Sequence, residues 1–102
     1  MGGGEKFNVY TLFGAIYEEM HKIDESRKHF EKSLDFAEKN DDDHGKATAY
    51  ANIGIVHSSE GDETKALELY LDSLKFFEEH NYTINAAVTC NNIAIIPHTA
   101  TT

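Results

Sequence analysis

Tyr50-Ala51-Asn52-Ile53-Gly54-Ile55-Val56-His57, then Gly61-Asp62, then Ala66-Leu67-Glu68-Leu69-Tyr70-Leu71-Asp72-Ser73, is the stretch that decides the fold. Forty residues earlier the same residue types occur in the same order. Tyr10, Phe13, Gly14 and Tyr17 stand where Tyr50, Ile53, Gly54 and His57 stand. Ser26, Phe30, Ser33, Leu34 and Phe36 stand where Ala66, Tyr70, Ser73, Leu74 and Phe76 stand. Matches at one fixed offset mean a repeated supersecondary unit, and a period in this range means a stacked array.

Within each copy the apolar residues recur at three- and four-residue spacing, which predicts helices. The first covers about 5–20, with Val9, Phe13, Ile16, Tyr17 and Met20 as its stripe. The second runs to about Lys39, with Asp24 as N-cap and Phe30, Leu34 and Ala37 as its stripe. Asn40-Asp41-Asp42-Asp43 is a polar break, and a third helix covers about 44–59, closed by Gly61 as a C-cap. Asp62 or Thr64 caps a fourth, which carries Leu67, Tyr70, Leu71, Leu74 and Phe77 to about Glu79. A fifth runs from Thr83 to about Ile96, where Pro97 stops it. Short links make consecutive helices antiparallel neighbours. The expected architecture is therefore an all-α solenoid: a leader over 1–5, helix pairs over 6–45 and 46–85, a single helix over 86–97 and a tail over 98–102. The charge pairs expected along the helix faces are Glu18–Lys22, Asp24–Lys28 and Arg27–Glu31.

The 102 residues carry 18 acidic side chains against 9 basic ones, a net charge of -9. Nucleic acid and anionic membranes need a positive face, so both are poor partners, whereas a basic segment is attracted. No apolar run approaches the length of a membrane span. The one cysteine, Cys90, allows no internal disulfide; it fits a reducing, cytoplasmic setting and reads as a small core residue.

These copies resemble the tetratricopeptide repeat family, whose pattern is an aromatic, then Leu-Gly, then Tyr in helix A, followed by Ala, an aromatic and a small residue in helix B. Gly14 and Gly54 leave room where helix B crosses helix A, Ser26 and Ala66 do so from the other side, and the aromatics fill the wider gaps. A third copy begins at Cys90-Asn91-Asn92-Ile93-Ala94 and stops at Pro97. The period exceeds the usual length of about 34, and Glu38 and Glu78 replace the Pro that ends helix B, so helix B should run on. This long-repeat style is similar to that of kinesin light chains, polarity scaffolds and bacterial peptide-sensing regulators.

The resemblance implies a protein- or peptide-binding scaffold, part of a bacterial-type regulator, with a concave groove lined by helix A of each repeat. The groove candidates are then Asn8, Thr11, Leu12, Ala15 and Glu18 in the first copy, Thr48, Ala51, Asn52, Ile55 and Ser59 in the second, and Val88, Asn91, Asn92 and Ile95 in the third. Asn52 and Asn92 share the slot in which relatives hold a peptide backbone, since an amide both donates and accepts; the alternative is that they only bond neighbouring helices. Leu12 fills that slot in the first copy.

No catalytic, cofactor or metal constellation is expected. His21, His44 and His80 fall in or beside turns, His29 lies on a charged face, and His57 replaces a core aromatic. Asp41-Asp42-Asp43-His44 lacks the Gly and Glu of a calcium loop, since Lys46 and Asn52 stand there. The alternative function is self-association. With no helix B after the fifth helix, Phe76, Phe77, Ile93 and Ile96 would stay wet, and a homodimer through the C-terminal end would cover them.

Overall fold

The computed structural model describes residues 9–96. Its elements are five helices: α1 (Val9–Glu19), α2 (Ile23–Lys39), α3 (Asp43–Ser59), α4 (Glu63–Glu79) and α5 (Thr83–Ala94). Consecutive helices pack on each other, and α3 also reaches α5, so α1, α3 and α5 act as the A helices and α2 and α4 as the B helices. α2 and α4 are each 17 residues long and run through Glu38 and Glu78, as the missing Pro predicted.

The connections reveal a finer rule than the 40-residue repeat. Each is three residues long, and its middle residue is left-handed: His21 (φ 61), Asp41 (φ 52), Gly61 (φ 86) and Asn81 (φ 61). The third residue then donates its amide to a carbonyl five positions back, Lys22 to Tyr17 at 2.8 Å, Asp42 to Ala37 at 2.9 Å, Asp62 to His57 at 2.9 Å and Tyr82 to Phe77 at 2.8 Å. These are Schellman closures, which satisfy carbonyls that a helix end otherwise leaves open. The same third residue is the N-cap of the next helix. Asp42 accepts from the Gly45 amide at 3.0 Å and Asp62 from the Lys65 amide at 3.3 Å. Lys22 and Tyr82 offer no such side-chain bond. The N-cap of α2 is thus Lys22 rather than Asp24, which lies in the first turn, where its negative charge still suits the helix dipole.

The close A–B crossings are where the paired glycines placed them. A Cβ on Gly14 would lie 2.5 Å from Phe30 Cδ1, and one on Gly54 would lie 2.8 Å from Tyr70 Cε1. Ser26 is buried and donates to the Gly14 carbonyl at 2.9 Å; Ser73 is buried and donates to the Ala47 carbonyl at 2.9 Å. Small residues therefore do two things in this core: they admit the rings, and they tie helix to helix through otherwise idle carbonyl lone pairs.

Equivalent A-helix positions differ in what covers them. Ile96, two residues past the end of α5, which stops at Ala94 rather than at Ile96, is buried against Ala66 and Tyr70 of α4, and Thr89 of α5 is buried too. Their counterparts in α3, Val56 and Ala49, are fully buried beneath α2. In α1 the counterparts Ile16 and Val9 are 45% and 41% exposed. No described helix lies on that side of α1. The expected core stripe Val9, Phe13, Ile16 and Met20 is therefore exposed, and of the five residues only Tyr17 is partly buried.

Other expectations also need correction. Cys90 is exposed, as is Tyr50, its counterpart in α3. Phe77 and Ile96 are buried and Ile93 is half-buried against Ala66 and Tyr70, so these three do not form a wet end; Phe76 is half-buried and stacks on His80. The ion pairs join other partners: Arg27 with Asp24 and Glu60, Lys39 with Asp35, Lys46 with Asp43, and Lys65 with Glu68. Among them Arg27–Glu60 connects α2 to the turn after α3, a link that helix periodicity cannot reveal.

Candidate functional site

Two hollows lie on the seams within helix pairs. One of 330 Å³ is lined by Asp43, Lys46, Tyr50, Asp72 and Phe76 among others, and its equivalent of 270 Å³ by Tyr10, Lys32 and Phe36. Both sit where helix B lies along its own helix A, and neither collects any groove candidate.

A smaller cleft of 120 Å³ lies between α3 and α5. From α3 it takes Thr48, Ala51, Asn52 and Ile55; from α5 it takes Ile84, Asn85, Val88, Thr89 and Asn92; Phe77 of α4 completes it. The spacing of these residues, one turn apart along each helix, is what puts them on one face. Phe77 is 1% exposed and so forms a fixed wall, while Val88 is 56% exposed and Ile84 81% exposed.

Two of the lining residues, Phe77 and Asn85, are held by an aromatic clamp. His44, in the first turn of α3, has its ring 4.5 Å from that of Tyr82 and 5.9 Å from that of Phe77. Its Nε2 is 3.3 Å from Asn85 Oδ1. These contacts fix the start of α5 against the start of α3, and so set the separation of the cleft walls.

The polar groups divide into committed and free. Asn85 is engaged by His44, and the Thr89 hydroxyl donates to the Asn85 carbonyl at 2.8 Å. The side chains of Asn52 and Asn92 have no hydrogen-bond partner among the described residues. Thr48 Oγ1 is buried and likewise has none. Bonding to neighbouring helices, the alternative weighed for Asn52 and Asn92, is thus not what occupies them.

Of the groove candidates, Thr48, Ala51, Asn52, Ile55, Val88 and Asn92 come together in this cleft. Asn91 on α5, Ile95 just past its end and Ser59 at the end of α3 are exposed, Glu18 is half-buried on α1, and none of them lines it. In the first copy, Thr11 faces α2, donating to the Ser33 hydroxyl at 3.1 Å, while Leu12 and Ala15 are exposed. Asn8 lies outside the described residues. Sequence reasoning missed Ile84, Asn85 and Thr89 and assigned Phe77 to a different surface. Ile84 and Asn85 were findable, since they lie one helical turn before Val88. Phe77 was not, because it belongs to a B helix.

The tetratricopeptide repeat family profile matches residues 5–79. The chain belongs to the tetratricopeptide repeat family. Its repeats are of a helical type that generally mediates protein–protein interaction. No curated protein and no solved structure matches the chain. Among the described residues no cluster of three or more His, Cys, Asp or Glu side chains is placed to hold a metal ion, and no helix is long and apolar enough to cross a membrane.

Proposed function

We propose that this tetratricopeptide repeat chain holds an extended peptide or protein segment along the A helices, centred on the cleft between α3 and α5. The observation that carries the reading is the pair Asn52 and Asn92. They occupy the same slot in successive repeats, line one cleft from opposite walls, and have side-chain amides with no other partner among the described residues. An amide in that position can donate to a peptide carbonyl and accept from the next N–H without regard to side chains. The chain's charge of -9 favours approach of a segment with basic flanks. A place within a larger cytoplasmic regulator of bacterial type suits such a module.

The test is affinity selection of random peptides on the immobilised chain, followed by titration of the enriched sequences. Asn52→Ala and Asn92→Ala should each weaken binding about five- to tenfold, the worth of one neutral hydrogen bond. Binding that is indifferent to both substitutions overturns the groove assignment.

A second reading, self-association, is favoured by the bare side of α1. Val9, Leu12, Phe13, Ile16 and Met20 are all more than 40% exposed, and Ile84 and Ile95 are exposed at the opposite end. A second copy would cover such a face, so a homodimer remains part of the proposal, now through open A-helix faces rather than through Phe77 and Ile96.

A further inference from the structure

We infer that the α3–α5 cleft reads one uncharged aliphatic side chain of the bound segment, of the size of Val or Leu. This rests on the groove reading above and adds to it a specificity that the paired amides cannot supply.

The first support is the absence of charge. None of the residues lining the cleft is acidic or basic, in a chain with 18 acidic and 9 basic residues. An ammonium or carboxylate entering it would lose water and gain no counter-charge, so Lys, Arg, Asp and Glu are rejected at this point even if basic residues are welcome on either side. The second is size. An enclosed apolar cavity of about 150 Å³ holds a benzene ring; this open cleft, at 120 Å³, matches a branched aliphatic group and is too small to bury an indole. The third is what waits to be covered. Val88 and Ile84 are exposed while Phe77 behind them is buried, so an aliphatic side chain seated there removes apolar surface from water on a rigid floor.

The fourth is Thr48. A helical threonine ordinarily returns its hydroxyl to the carbonyl a turn back, as Thr89 does to Asn85. Thr48 Oγ1 does not, and is buried without a partner. The oxygen has no surface open to solvent in the unliganded chain, so a peptide backbone group satisfies it only as the cleft walls part to seat the side chain.

The experiment uses the ¹⁵N-labelled full chain and pools of acetylated, amidated hexapeptides with uncharged flanks. One position is set in turn to Gly, Val, Leu, Trp, Lys or Glu, and amide shifts of α3 and α5 are followed. The Val and Leu pools should bind at least about tenfold tighter than the Gly pool, and the Trp, Lys and Glu pools no tighter than Gly. Val88→Glu, at an exposed position where the fold tolerates a charge, should erase the Val and Leu preference, and Val88→Ile should keep it. Shifts on α3 and α5 without any preference, or a preference that survives Val88→Glu, overturn this inference and leave the groove reading standing. No shift on α3 or α5 with any pool overturns both.

Discussion

Tyr70 is the residue at which the repeat logic is most concentrated. Its ring lies over Gly54, it shares a buried cluster with Ala66 and Ile96, and it is 2% exposed. Burial first, and the negative charge of Glu18 second, push its phenol up to about 12. The unfolded chain's tyrosine ionises near 10. Below that pH both states keep the proton and the group adds no pH dependence. Between pH 10 and 12 the unfolded chain loses its proton while the folded chain retains it, so stability falls as pH rises. The loss reaches about 2–3 kcal/mol. Urea unfolding at pH 9 and pH 11.5 should show this fall, and Tyr70→Phe should be flatter by that amount. The crossing beneath Tyr70 was legible because Gly54 and its ring recur as Gly14 and Phe30, and a matched small–large pair is a packing statement. The exposure of Val9, Ile16 and Cys90 was not legible. Periodicity says which face of a helix is apolar, and only the neighbours decide whether that face is covered.

At the scale of the element, the notable fact is that helices begin every 20 residues, at Ile23, Asp43, Glu63 and Thr83. The repeat visible in the sequence is twice as long. The half-period was hidden because His21, Asp41, Gly61 and Asn81 share a backbone conformation and no chemistry. Left-handed geometry is cheapest for Gly, tolerable for Asn and Asp, and costs other residues about 1–2 kcal/mol. His21→Gly should therefore raise stability by about 0.5–1 kcal/mol after the added freedom of the unfolded chain is subtracted. Gly61→Ala should lower it by about 1 kcal/mol through backbone strain alone, since nothing lies within 4 Å of the new Cβ. Shifts in urea midpoint at unchanged slope would check both. The cleft residues on α3 and α5 were legible at this same scale, through one-turn spacing. The clamp of His44, Tyr82 and Asn85 was not, because it joins the first turn of α3 to the N-cap and first turn of α5, and no spacing relates two separate helices.

The described residues measure 46 × 31 × 18 Å, and their helices touch mainly their immediate neighbours. Stability in such a stack is a sum over neighbouring interfaces. α1 and α5 are the end members of the described stack; α1 packs chiefly on α2, and its open apolar side is the surface that gains most from a further partner. Light scattering on the proposed self-association should show mass rising with concentration towards a dimer, with Ile16→Glu returning the chain to monomer. Ile95→Glu having that effect instead would move the contact to the C-terminal end, and a wild-type monomer at millimolar concentration would remove the proposal. All-helical stacking was legible from the period, because repetition constrains neighbours. The partner was not, because a binding surface repeats its scaffold and varies its contacts.

The three-residue connections have a further consequence, for degradation. A protease must draw several consecutive residues into an extended shape before it can cut. Between α1 and α5 each turn is locked by a left-handed residue and a closing backbone bond, so the chain offers no such length while folded. A cut inside this span requires helices to separate first. Cleavage there is therefore a clock for opening of the stack, and a segment seated between α3 and α5 should slow it.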